Sequence, residues 1–394
     1  MENLYNGDVS APTRILKEKM KFKISQEEFS KLLVSVNKSL QTKANLPILT
    51  NILISASKGK IEVLSTDLET ATRVNTECNV EVEGKTTVPG RPISEFVAQV
   101  PPGEMIVEKL GEEVKVSSKR FSARFATMPI EDFPAIPKID KGKTLVLDAL
   151  EFSKAILRVA FSASQDEGRP ALVGVLCEFS KKSFSMVATD GYRLSFQQFS
   201  AEGDFVGKII TPARTLFEVF KIISEAGEEA SGKPVLVTVA DALNQVNFGI
   251  GNVEFTSRLI EGEFPPWQKI IPTSFSSKAK ISREELIRLV RVASIFARDS
   301  GNIIKLKLEG GAKGILTVSA NNNQVGSDEA SSEIELTGNG GEIAFNFRYL
   351  LEVLSSIESD DIFFEMIESL NPGRITIPDE GDYFHIVMPV RLQS

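Results

Sequence analysis

The sequence is poor in the residues that most often carry chemistry. Its 394 residues include one histidine, His385, two cysteines, Cys78 and Cys177, and one tryptophan. A single imidazole, with no Cys/His spacing of metal-site type, argues against a zinc centre, and no cofactor is implied. Serine–histidine or cysteine–histidine catalysis would have to use His385, which lies in the alternating apolar segment Tyr383–Met388, where a structural role is expected. The cysteines are far apart and flanked by strand-like residues, so two buried free thiols in a reducing compartment are expected. Long apolar runs are missing too: Leu32, Leu33, Val34 and Val36 give way at once to Asn37 and Lys38. The N-terminus has no basic, apolar, small-residue secretion segment, and a cytoplasmic protein without membrane contact is expected. Nor is there an excess of positive charge. A net charge of −8 makes the average surface repel phosphate, so any nucleic-acid function has to come from where the cations sit.

What the sequence does contain is length and internal order. A chain of 394 residues with 42% hydrophobic and 25% charged residues is globular and too long for one ordinary core, so two or three domains are expected. Compared with itself, the sequence shows three copies of one unit. The segments Lys23–Leu40, Leu147–Ser164 and Lys280–Ala297 each read as a short strand, a polar cap and an amphipathic helix. Ser25 with Glu28, Asp148 with Glu151 and Ser282 with Glu285 form the cap pattern. Behind them Phe29, Leu32, Leu33 and Val36 correspond to Phe152, Ala155, Ile156 and Val159, and to Leu286, Leu289, Val290 and Ala293.

The register is kept beyond the helices. Ser25 to Asp148, Asp67 to Asp190 and Arg91 to Arg214 are all separated by 123 residues, while Asp148 to Ser282 and Arg214 to Arg348 are both separated by 134. A second helix begins at each of these arginines, with Glu95, Glu218 and Glu352 at equivalent positions. Alternating strands such as Lys60–Ser65, Ser183–Thr189 and Gly314–Ser319 lie between the helices. Breaks rich in Pro, Lys or Ser fall near Pro134–Lys143 and Pro272–Ser277. Units of roughly 120–135 residues are far longer than solenoid repeats. The expected fold class is therefore α+β, three tandem repeats of a two-helix, multi-strand domain.

The repeats also align the cations. Lys31, Lys154 and Arg288 hold the same place on the three first helices, and Lys38, Arg158, Arg291 and Arg298 extend their polar faces. Arg91, Arg214 and Arg348 start the second helices, where a cation is mildly unfavourable, by about 0.3–1 kcal/mol, so helix stability does not account for them. Acidic clusters at Glu81–Glu83, Glu225–Glu229 and Asp360–Asp361 are expected outside these stripes. No zinc finger or helix-turn-helix signature supplies base readout, so a DNA contact would be to phosphate and indifferent to sequence. Two other readings stay open at this point. One is an enzyme using Asp67 and Asp190 with Thr66 and Thr189, although equivalent positions in different repeats should lie far apart and Asp190-Gly191 is a hairpin signal. The other is a repeat structural or adhesion protein with no DNA role.

Several stretches carry a family resemblance: Leu46-Pro47-Ile48-Leu49, Ser65-Thr66-Asp67-Leu68-Glu69, Val187-Ala188-Thr189-Asp190-Gly191-Tyr192-Arg193-Leu194, Glu263-Phe264-Pro265 and Val387-Met388-Pro389-Val390-Arg391-Leu392. In this order, from Met20 to Leu392, the chain resembles the β sliding clamps of bacterial DNA polymerase III. The resemblance implies the DNA clamp fold, with clamp domains at 20–140, 141–275 and 276–394 after an extension of residues 1–19. Two chains would pair head to tail in a ring, helices lining it and sheets outside. It implies a non-enzymatic processivity factor on double-stranded DNA, with the replicative polymerase alpha subunit, the clamp loader and other clamp-motif repair and replication proteins as partners. Lys43 and Arg91 are then expected near DNA, and Phe125, Ile295 and Phe296 at the interface between chains, where Ala123 replaces a bulkier residue of some relatives. The last implication is a cleft for partner peptides between the second and third domains. Its lining would be Leu172, Thr189, Gly191, Tyr192, Arg193, Leu194, Pro265, Ile270, Ile386, Met388, Pro389, Val390 and Arg391, with Arg169, Asn346, Tyr349 and Arg374 near the rim.

Overall fold

The computed structural model describes residues 19–391 except 42–45, 137, 138, 140, 141, 204, 231, 232, 241–243, 311 and 312, with the backbone alone described at 227–230. Lys43, the extension before Lys19 and the terminal Leu392, Gln393 and Ser394 lie outside the described residues. The chain forms two compact units, Met1–Pro137 and Lys138–Ser394.

The first unit holds one repeat. Strand Lys21–Ser25 runs into helix α1, Gln26–Val36, whose first turn is capped by the Ser25 side chain accepting from the Glu28 amide at 3.2 Å. Phe29, Leu32, Leu33 and Val36 recur at helical spacing and are buried. Helix α2, Gly90–Gln99, buries Ile93 and Val97 and packs against α1. Two antiparallel sheets frame the pair. One runs Asn79–Val82, Lys21–Ser25, Glu104–Leu110, Glu113–Ser118 and Phe121–Ala126. The other runs Gly84–Pro89, Asn51–Ser57, Lys60–Thr66 and Thr70–Glu77.

The second unit contains the same plan twice. In its first half, strands Glu202–Gly203, Lys143–Asp148, Pro234–Ala240, Gln245–Ile250 and Val253–Arg258 repeat the five-strand order. Strands Gly207–Pro212, Gly174–Phe179, Ser183–Thr189 and Arg193–Ser200 repeat the four-strand order. The helices are α3, Ala149–Val159, the single turn α4, Pro170–Val173, and α5, Ala213–Ala230. Asp148 caps α3 by accepting from the amides of Leu150 and Glu151, both at 2.9 Å. The other half carries α6, Arg283–Ala297, and α7, Phe347–Ser356. Here one long strand, Gly326–Gly338, does the work of two: its first part pairs with Gly314–Asn322 and its last residues pair with Ser277–Ser282. Three α+β repeats of one topology are what the offsets of 123 and 134 predicted.

Some local expectations change. Ser282 makes no side-chain cap; instead the Arg283 amide donates to the Asp360 carbonyl at 2.8 Å, as the Gln26 amide does to Gly103 in the first repeat. Helix α5 runs on to Ala230, so the acidic stretch Glu225–Glu229 forms its last turns. Cys177 is buried and Cys78 only half-buried; loss of hydration pushes their thiols up to about 12 and about 11, away from thiolate chemistry.

Candidate functional site

The aligned cations of the first helices separate into two environments. Lys31 and Arg288 stand out from α1 and α6 with side chains 68% and 69% exposed, each beside a glutamate one turn earlier, Glu28 at 3.7 Å and Glu285 at 2.8 Å. Such exposed pairs are weak and leave the cations available to other anions. Arg91, Arg214, Arg291 and Arg348 are exposed as well, at the starts of α2, α5 and α7 and along α6. Within the second unit α3 packs on α5 and α7, and α6 on α7, so the helices of its two repeats meet.

Arg158 does not belong with them. It is 1% exposed, so phosphate cannot reach it, and the expectation of a DNA contact is corrected. Its side of α3 faces the third repeat, where Glu380 takes one guanidinium nitrogen at 2.5 Å and the Tyr383 ring lies 5.2 Å below, while Gln197 of its own repeat accepts at 3.2 Å. Lys154, one turn earlier, reaches the same carboxylate at 3.3 Å. Burial works to raise the Glu380 carboxyl, but the hydrogen bond and charge of Arg158, joined by Lys154, outweigh it and hold the group below the usual carboxylate range. The one histidine lies in the same seam. His385 is fully buried, stacked on Phe161 at 5.6 Å, with Nδ1 2.7 Å from the Ser195 hydroxyl, which in turn meets Ser162 at 2.7 Å. Burial, helped by Arg193, drives its pKa down to about 3, so the ring is neutral and structural.

The aspartates suspected of acid–base work build turns. Asp190 Oδ1 accepts from the amides of Tyr192 and Arg193 at 2.9 and 3.1 Å, and the Thr189 hydroxyl donates to the Arg193 carbonyl at 2.6 Å. Asp67 with Thr66, and Asn322 in the third repeat, form related turns. Gly191 adopts φ +94° in this turn, a left-handed conformation that suits glycine.

That turn stands at the join of the second and third repeats, where strand Arg193–Ser200 pairs with the last strand, Glu380–Val387, placing Leu194 opposite Ile386. Leu194 and Ile386 are buried together with Leu176, Val187 and Ile210, under Phe264, Trp267 and Ile270. Leu172 and Thr189 are buried, while Pro265 is exposed. Tyr192 is 60% exposed and stacks on Tyr349 at 6.4 Å. Arg193 is buried between the rings of Phe161 and Tyr349, at 5.2 and 4.8 Å, and ion-pairs with Asp190 at 3.0 Å and with Glu352. Arg169 donates to the Asp190 carbonyl at 3.1 Å. Beyond the last strand the tail leaves the sheet at Pro389 but stays tied: the Met388 amide donates to Tyr192 and the Val390 amide to Ala344, both at 2.8 Å. Met388, Pro389 and Val390 are half-buried and Arg391 exposed, whereas Ile386 and Val387 are core residues, in keeping with the structural role expected of the alternating segment Tyr383–Met388. Asn346 caps α7, and Arg374 pairs with Glu365 at 2.6 Å beside Ile386. Glu380, Phe161 and Trp267 were not anticipated; Glu380 lies 222 residues from Arg158, and no local pattern links them.

Of the residues expected between chains, Phe125 is 9% exposed, packs edge-on against Phe96 at 6.0 Å, and sits on the terminal strand of its sheet. Ile295 is 57% exposed, and Phe296 packs partly on the third repeat's core.

A thrice-repeated, two-helix α+β unit with cations on its first helices defines a protein of the clamp class. Family models for the N-terminal, central and C-terminal domains of the DNA polymerase III beta subunit match residues 20–137, 146–266 and 268–391, and the chain belongs to that family. A beta sliding clamp of Chlamydia muridarum is 29% identical over 378 residues, covering 95% of this chain and 100% of the relative. The solved DNA polymerase III beta subunits of Thermotoga maritima and Pseudomonas aeruginosa superpose with TM-scores of 0.87 and 0.88 at 26% and 25% identity, each again over 95% of this chain and 100% of theirs.

Proposed function

We propose that the chain is a DNA sliding clamp that closes as a head-to-tail homodimer around duplex DNA and tethers the replicative polymerase. The observation that carries this reading is the threefold topology with exposed cations at matched helix positions on an otherwise acidic protein. Lys31, Lys154, Arg288, Arg291, Arg91 and Arg214 would meet phosphate in weak, interchangeable contacts that permit sliding, with Lys43 completing the set. Domain limits at 20–140, 141–275 and 276–394 follow the repeats. Among the described residues Phe121–Ala126 is paired on one side only, and so is the first part of Gly326–Gly338; each offers an open strand edge for pairing between copies, with Phe125, Ile295 and Phe296 beside them.

The join of the second and third repeats is the proposed receptor for short peptides of the polymerase alpha subunit, clamp loader and repair proteins. An apolar anchor would enter at Leu172, Leu194, Ile270, Ile386 and Met388, between the turn Thr189–Arg193 and the tail Pro389–Arg391. The protein itself performs no catalysis in this account and works in the cytoplasm; among the described residues no helix is long and apolar enough to cross a membrane. Primer extension on a singly primed circle, with a bacterial replicative polymerase and loader, tests the proposal. Long products only in the presence of this protein are expected. Unchanged product length with verified loading would contradict it.

A further inference from the structure

The outer face of the sheet does not end at the apolar anchor. Residues opposite one another across antiparallel strands share a face, and one such row runs from Leu194 and Ile386 to Arg374, then Glu365, then Lys278. Beside this row lies a groove of about 440 Å³ that includes Phe384, itself packed on the anchor cluster. The groove is therefore continuous with the proposed peptide receptor. Its charge is uneven. Glu365 is buried and serves two cations, Arg374 at 2.6 Å and Lys278 at 3.7 Å. Arg374 takes the short bond and also lies 4.1 Å over Phe275, so the less tightly held cation is Lys278, 46% exposed and fixed 3.7 Å over the Phe363 ring. Of the acidic groups on the far wall, Glu380 has Arg158 and Lys154 of its own, while Asp379 adds the smallest share, after Asp361 and Glu335, to holding the Lys280 ammonium above its usual range.

We propose that this groove is an extension of the partner site that selects peptides with an acidic residue flanking the apolar anchor, with Lys278 as the residue that reads it. The inference rests on the reading of the join as a peptide receptor. Three strand spacings of about 4.8 Å separate Ile386 from Lys278, a span that an extended peptide covers in about four residues, or about three once the reach of the Lys and Asp side chains is counted. The acidic side chain should therefore stand about three to four residues from the anchor. Acting on an exposed, ring-supported ammonium, it should strengthen binding by about 3- to 5-fold at low salt, and the gain should vanish as the pair is screened.

The test is fluorescence anisotropy with labelled clamp-binding peptides on the full chain: an anchor-only peptide, and versions with one Asp or one Asn at three or four residues to either side. The Asp peptides on one side should bind more tightly than their Asn partners to the wild type and to Lys278→Arg, and equally with them to Lys278→Gln, while the anchor-only peptide binds all three proteins alike. An anchor-only peptide that fails to bind the wild type overturns the receptor reading and this inference with it. Anchor binding without an Asp gain on either side, or a gain that survives Lys278→Gln, overturns this inference alone.

Discussion

Lys154 and Arg158 lie one turn apart on the same face of α3 and share Glu380, and the difference between them is depth: the contact with the third repeat covers Arg158 and leaves Lys154 38% exposed. Periodicity placed both on the polar face, because nothing near Arg158 in sequence announces Glu380. Removing Arg158 strands a partly buried carboxylate and empties the space over Tyr383. Arg158→Ala should lower stability by about 1–3 kcal/mol, the buried-pair range discounted because Glu380 is one-third exposed, whereas Lys154→Ala should cost less than about 1 kcal/mol. Urea midpoints of the two variants check this; equal losses would mean that Arg158 is not the structural member of the pair. His385 gives a pH signature of its own. Its folded pKa, about 3, lies below the ordinary histidine value, so on acidification the unfolded chain takes up the proton first. Stability contributed by the neutral ring is complete above about pH 6.5 and declines as pH falls toward the folded pKa. In His385→Gln the slope of stability against pH between about 6.5 and 4.5 should flatten, read from urea titrations. Below that range Glu380, depressed by Arg158, adds a further acid loss that His385→Gln leaves in place.

At the scale of elements, the sequence was readable wherever one helix or hairpin decides its own form. The caps at Ser25 and Asp148, the apolar stripe of α1 and the hairpin at Asp190-Gly191 follow from local rules, and the repeat offsets carried them across three domains. What could not be read depends on contact between repeats: the missing side-chain cap at Ser282, the fused strand Gly326–Gly338, and how deeply the terminal strand is covered and its tail tethered on either side of the division at Pro389. Ile386 and Val387 alternate like the rest of their strand, so only their pairing with Leu194 and Arg193 shows that both are covered. That division sets a clean test. Truncation after Val387 keeps the strand pairing and removes, among the described residues, the backbone bonds of Met388 and Val390 and the half-buried side chains of the tail. Calorimetric titration with an anchor peptide should then show binding lost, while light scattering still finds a two-chain species and thermal unfolding stays cooperative. Full peptide affinity in the folded truncated protein would place the receptor elsewhere.

For the whole molecule, net charge and function pull in opposite directions: −8 overall opposes binding to DNA, while Lys31, Arg91, Arg214, Arg288 and Arg348 are exposed at matched helix positions. A protein that clung to DNA by charge alone would not slide freely, so retention has to be topological and electrostatic affinity low. Substituting Lys31, Lys154 and Arg288 together by Glu should impair loading without loss of cooperative unfolding. The central claim is encirclement, and its most direct measurement is the retention of labelled protein, loaded by a clamp loader on nicked circular DNA, before and after a single restriction cut. Stable retention on the circle at about 0.15 M salt and rapid loss after linearisation are expected. Equal retention on the two forms, or equal loss from both once loading is verified, would contradict the account.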